Sequence, residues 1–252
     1  MKKLICLFLT LCLLLSLTAC GGAGLDSQTG GGTTIVPLGE QTVQGTWVFA
    51  VNLKEALPIV FEMMNAGEDE PAPQELLDII AKAIPANVAL EYLFVFSNGT
   101  CQMVVNLDDM TQAMRSVMGS VYSEEVLLEI FAYRGLSEDE IRQQCGGMSV
   151  KEYVDTVKPL ILEMIDYSQL AGYADNVEVR NGYMITPVGN YQIEDNRLVV
   201  DDGAIKLHFT YNGNALILDT ENVDKEDVPE VLEDILAFSV VKLTKRSAQT
   251  SY

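Results

Sequence analysis

The chain has 252 residues, 48% of them hydrophobic and 8% aromatic, and a formal net charge of −20. That apolar content excludes a disordered acidic tail, and the acidity argues against nucleic acid and anionic lipid headgroups as partners while favouring solubility and cationic ones. A single histidine leaves nucleophilic and metal chemistry short of its commonest side chain.

The N-terminus carries Lys2-Lys3, an apolar run from Leu4 to Leu17, and then Thr18-Ala19-Cys20. The run is short for a membrane span, and it has the positive flank and small residues of a signal peptide. Leu17-Thr18-Ala19-Cys20 resembles the lipobox of a bacterial lipoprotein. That resemblance implies removal of residues 1–19, a lipid of the diacylglyceryl and palmitate kind on the Cys20 sulfur, and a place at the cell membrane facing the extracytoplasmic side. Loss of Lys2 and Lys3 takes the charge from −20 to −22. Residues 20–40, rich in Gly and Thr, read as a flexible tether with a reach of about 25 Å. A folded domain is expected over 41–246, with a tail at 247–252.

Alternation predicts a first strand at Gly45–Val51, and Asn52 caps a helix expected from Leu53 to Met64. Glu68 to Pro73 breaks it, and Pro73 suits the first turn of a second helix reaching Ile84. Strands at Val88–Phe96 and Thr100–Val105 flank Ser97-Asn98-Gly99, a hairpin turn. From Asp108 to Leu170 the period becomes helical. Asp109 with Gln112, Ser137 with Glu140 and Ser149 with Glu152 have capping-box spacing and mark three helix starts.

Strands then return at Val177–Arg180, Tyr183–Pro187, Tyr191–Ile193, Leu198–Val200, Ile205–Tyr211 and Leu216–Leu218, joined by tight turns. A last helix over Lys225–Ala237 leads to a closing strand, Phe238–Leu243. At an offset of 18 residues, Tyr191, Ile193, Asn196, Leu198 and Val200 match Phe209, Tyr211, Asn214, Leu216 and Leu218, so two hairpins present the same apolar face. The predicted class is α+β: an antiparallel β-meander forming a barrel or strongly curved sheet, with an inserted helical layer over 108–170.

Gly45-Thr46-Trp47 at the first strand, with the hairpins at Asp195-Asn196-Arg197-Leu198 and Gly213-Asn214-Ala215-Leu216, resembles the lipocalin-like domains of bacterial lipoproteins. The resemblance covers the strands, about half of the mature chain, and implies that Trp47 is a structural plug at the base of the barrel. The helical segments depart from a plain lipocalin.

Alternation in the strand from Ile205 places His208 on a solvated face, opposite Leu207 and Phe209. Asp219 to Glu230 has acids at some calcium-loop positions but Val223 and Asp224 where an oxygen ligand and a glycine are needed, so an EF-hand is set aside. Met110, Met114 and Met118 share one helix face, chiefly as core. With Phe209 and Tyr211 they are the candidate wall of an apolar pocket. Cys101 and Cys145 read as two separate buried thiols, with a disulfide between them as the alternative outside the cytoplasm. No hydrolase, nucleotide or metalloenzyme motif is present, so no enzyme, cofactor or metal is expected. The leading expectation is a membrane-anchored lipoprotein binding a small or lipidic molecule; the alternative is an acidic surface module for a cationic protein or peptide.

Overall fold

The computed structural model describes residues 38–57, 73–167, 177–201, 206–219 and 241–246. Cys20 with its signal and tether, the second half of the helix expected from Leu53, the acidic stretch after Asp219 and the helix expected over Lys225–Ala237 lie outside them. The described residues divide into two compact units. One holds residues 52–57, 73–89 and 108–167, and the other residues 38–51, 90–107, 177–201, 206–219 and 241–246.

In the second unit, period-two alternation closes into a barrel. A short helix α1 (Glu40–Val43) leads into β1 (Gly45–Asn52), followed by β2 (Ala89–Ser97), β3 (Thr100–Asn106), β4 (Glu178–Arg180), β5 (Tyr183–Glu194), β6 (Arg197–Asp201), β7 (Lys206–Tyr211), β8 (Ala215–Leu218) and β9 (Val241–Lys245). The strand order is β3-β2-β1-β9-β8-β7-β6-β5-β4, and β5 pairs back onto β3. Eight strands therefore form a closed antiparallel ring, with β4 added along β5, as in a lipocalin-like barrel. Closure leaves no open edge among the eight.

The tight turns are those expected. Asn98, Asn181, Asp195 and Asn196 all take positive φ, which short polar side chains tolerate. One expectation is corrected: Tyr183–Pro187 and Tyr191–Ile193 are halves of a single twelve-residue strand. Cys101 faces Gly189 and Gln102 faces Pro187, so Val188 is an extra, bulged residue. Gly189, at φ 141, takes a conformation that side chains disfavour, and the strand bends without ending. Before the bend β5 pairs with β4; from Asn190 onward it pairs with β6.

Inward-facing Trp47, Leu90, Phe94, Phe96, Leu198, Phe209 and Leu216 each expose 2% of their surface or less. In the sector of β1, β2, β3 and β5 the opposite face is apolar too, where Leu93, Val104 and Ile185 pack with Val48, Val95 and Tyr183. Burial on both faces explains why Leu93-Phe94-Val95-Phe96 and Met103-Val104-Val105 run without polar interruption.

The first unit is helical. Asn52 caps residues 53–57 as expected, its Oδ1 accepting from the Lys54 N–H at 2.9 Å. Then come α2 (Gln74–Ala83), α3 (Leu107–Val121), α4 (Glu124–Tyr133), α5 (Glu138–Gln144) and α6 (Val150–Met164). Ser137 and Ser149 form complete capping boxes with Glu140 and Glu152. Two starts differ from expectation. Pro73 is the N-cap of α2, not its first-turn residue. Helix α3 starts two residues ahead of Asp109, because β3 runs directly into it and the Leu107 N–H is satisfied by the Gly182 carbonyl at 2.9 Å. Asp108 and Asp109 then sit in its first turn, where negative charge suits the helix dipole.

Candidate functional site

At the start of the barrel the chain passes from α1 through Gly45, whose φ of 116 demands glycine, into β1. The turn lays Trp47 back under α1, and its indole Nε1 donates to the Val43 carbonyl at 2.7 Å. The tryptophan is 1% exposed and Val43 not at all. Tyr211 meets the indole edge-on at 6.3 Å, and its hydroxyl donates to the Gly213 carbonyl. Lys245 closes the arrangement from β9: its ammonium lies 5.5 Å from the indole centroid and donates to the Thr42 carbonyl at 2.5 Å. Trp47 thus joins α1, β1, β7 and β9 as a packed plug.

Phe209 is buried in the same interior at 1% exposure, while Tyr211 is half-buried against Trp47. Farther along, Tyr191 packs edge-on against Phe96 at 5.4 Å, and its hydroxyl is buried with no hydrogen-bond partner. His208 is half-buried in β7, in register with Val199 and on the face away from Leu207 and Phe209.

Met110, Met114 and Met118 belong to the helical unit. They share one face of α3 as their spacing requires, at 1%, 0% and 1% exposure, among Val117 and Val121. The expected pocket wall is therefore split between the two units, three methionines in one and two aromatics in the other. Cys101 and Cys145 are free and buried, and burial pushes both thiols up from their ordinary pKa, away from the reactive thiolate. Among the described residues no three His, Cys, Asp or Glu side chains are grouped to hold a metal ion, and no helix is long and apolar enough to cross a membrane.

Sequence reading missed a groove of about 300 Å³ in the helical unit, where α2 packs against α4. Ile79, Lys82 and Ala83 come from α2, Ser120 from the end of α3, and Ser123, Glu125, Val126 and Glu129 from the start of α4. Ser123 caps α4, its hydroxyl oxygen accepting from the Val126 N–H at 3.3 Å. The signal was legible, since Ser123 precedes two acids and an apolar run, but the sequence lacks the Glu or Gln three residues on that completes a capping box. Lys82 meets Glu129 at 3.2 Å across the groove.

The carboxylates of the helical unit differ in surroundings. The Ser137 hydroxyl, with its backbone N–H, holds Glu140 below the ordinary carboxylate range, and the Ser149 N–H, with its hydroxyl, does the same for Glu152. Asp155, hydrogen-bonded at 2.7 Å, raises Lys151.

Acidic side chains outnumber basic ones 36 to 16 along the chain, and 14 of the acids lie outside the described residues. The described residues of the helical unit carry 15 acidic and seven basic side chains; those of the barrel unit carry seven and six. No protein-family model, curated protein or solved structure matches the chain. Its class rests on the fold itself: a closed eight-stranded antiparallel barrel of lipocalin-like form with helical insertions.

Proposed function

We propose that this chain is a lipid-anchored extracytoplasmic interaction module. Cys20 holds it to the membrane, the barrel is a filled scaffold, and the acidic helical unit engages a cationic protein or peptide without catalysis. The observation that carries this reading is the net charge of −20, to which the described residues of the helical unit contribute 15 acidic against seven basic side chains, a balance that attracts cationic partners. The packing of large side chains inside the barrel accords with a scaffold role.

The test is binding of a cationic probe protein, hen lysozyme, across a salt series. Affinity that falls steeply between low and physiological salt is expected, and affinity indifferent to salt refutes the module. Cys20→Ala should release the protein from membranes; a variant that stays membrane-bound refutes the anchor.

The second reading is a small or lipidic molecule in the barrel. One observation favours it: the buried Tyr191 hydroxyl has no protein partner, as a polar contact for a bound molecule requires. Native mass spectrometry of protein purified gently from its host decides between the two, since a mass lost on denaturation identifies a ligand and a clean apo mass removes this reading.

A further inference from the structure

The groove between α2 and α4 has the composition of a peptide seat. Its floor is apolar, with Ile79 and Ala83 one helical turn apart on α2 facing Val126 of α4. Its rim is acidic, with Glu125 and Glu129 one turn apart on α4. Two of the four exposed large hydrophobic side chains among the described residues, Leu128 at 44% and Tyr133 at 37%, lie on this same helix.

Among the described residues, the one cation lining the groove is loosely held. Lys82 has 72% of its side chain exposed where it meets Glu129, and an exposed pair of that kind contributes little. An incoming cation can therefore take Glu129 at small cost. A neutral apolar ligand would leave Glu125 without an added partner and Glu129 with its loose one, and an anion would meet both carboxylates directly.

We propose that this groove docks a basic amphipathic segment of a partner protein. Glu125 and Glu129 receive its Lys or Arg side chains, the Ile79, Ala83 and Val126 floor receives one apolar side chain, and Tyr133, seven residues on from Val126 and on the same helix face, extends the apolar contact along α4. This rests on the interaction reading above and adds where the partner sits and what face it presents.

The test uses the full-length chain in neutral detergent micelles and an end-blocked, fluorescent 14-residue Leu/Lys peptide designed as an amphipathic helix. Glu125→Gln with Glu129→Gln should weaken peptide binding by about tenfold. Glu138→Gln with Asp139→Asn on α5, which removes the same charge elsewhere on the unit, should weaken it by less than about threefold. Lys82→Gln should tighten binding more than Lys151→Gln does, a gain that a damaged fold cannot produce. Tyr133→Ser should weaken it with charge unchanged. If both double variants weaken binding equally, or neither does, the groove is overturned while the acidic-module reading stands. If the unaltered protein fails to bind the peptide at low salt, both fall.

Discussion

The barrel and the helical unit reach stability by opposite routes. Strands of the barrel are held by partners far away in sequence, and its plug joins Thr42 to Lys245 across 203 residues. Helices of the other unit add to their buried core a set of caps and pairs from neighbours three or four residues away: Ser137 with Glu140, Ser149 with Glu152, Lys151 with Asp155.

The largest expected effect breaks the barrel side of this comparison. Trp47→Ala removes a buried indole, its hydrogen bond to Val43 and its contact with Lys245, and should cost about 3–5 kcal/mol in denaturant unfolding. Faster hydrogen exchange in β1 and β9 should accompany the loss. On the helical side, Met114→Ala empties a fully buried position of α3 and should cost about 2–5 kcal/mol. The methionine stripe is a surface wall instead of core if that substitution is silent.

Tyr191→Phe works in the opposite direction. The hydroxyl is buried without a partner, so removing it should stabilise the ligand-free protein by about 1–3 kcal/mol in thermal unfolding. Unchanged or lowered stability would show that a bound water or ligand normally satisfies it. Smaller still, Ser137→Ala and Ser149→Ala should each cost about 1 kcal/mol as lost N-caps.

The capping boxes also give the helical unit an acid sensitivity. Glu140 and Glu152 titrate below their ordinary value when folded, so the unfolded chain binds their protons first. Their stabilisation is present above the ordinary carboxylate range and is lost as pH falls through the lowered folded values. Unfolding of Glu140→Gln/Glu152→Gln, followed from neutral pH into that acidic range, should be measurably flatter than that of the parent. Identical slopes would place the acid response elsewhere.

What the sequence discloses tracks how local its cause is. Turns at Asn98-Gly99, Asn181-Gly182 and Asp195-Asn196 were readable because their dihedrals depend on the residues themselves. So were the boxes at Ser137 and Ser149. The start of α3 was misplaced because β3 runs straight into it and a distant carbonyl, that of Gly182, takes the Leu107 N–H. The bulge at Val188 divides one strand into Tyr183–Pro187 and Tyr191–Ile193 in the sequence, because nothing local shows that β3 goes on pairing across it. The groove was invisible for the same reason: Lys82 and Glu129 lie 47 residues apart, and nothing in either segment names the other. Cys20 and its tether were read from the N-terminal pattern alone.

The pairing of β1 with β9 sets an order of events in time. The ring has no closing strand until Val241–Lys245 has been made and delivered, so β1 and β8 remain open edges until then. Long-range closure of this kind is slow, and exposed edges invite pairing with other chains meanwhile. If the chain is exported as its N-terminus suggests, it must cross the membrane almost whole before its barrel can exist, and the interval between arrival of β1 and arrival of β9 is when it most needs a chaperone.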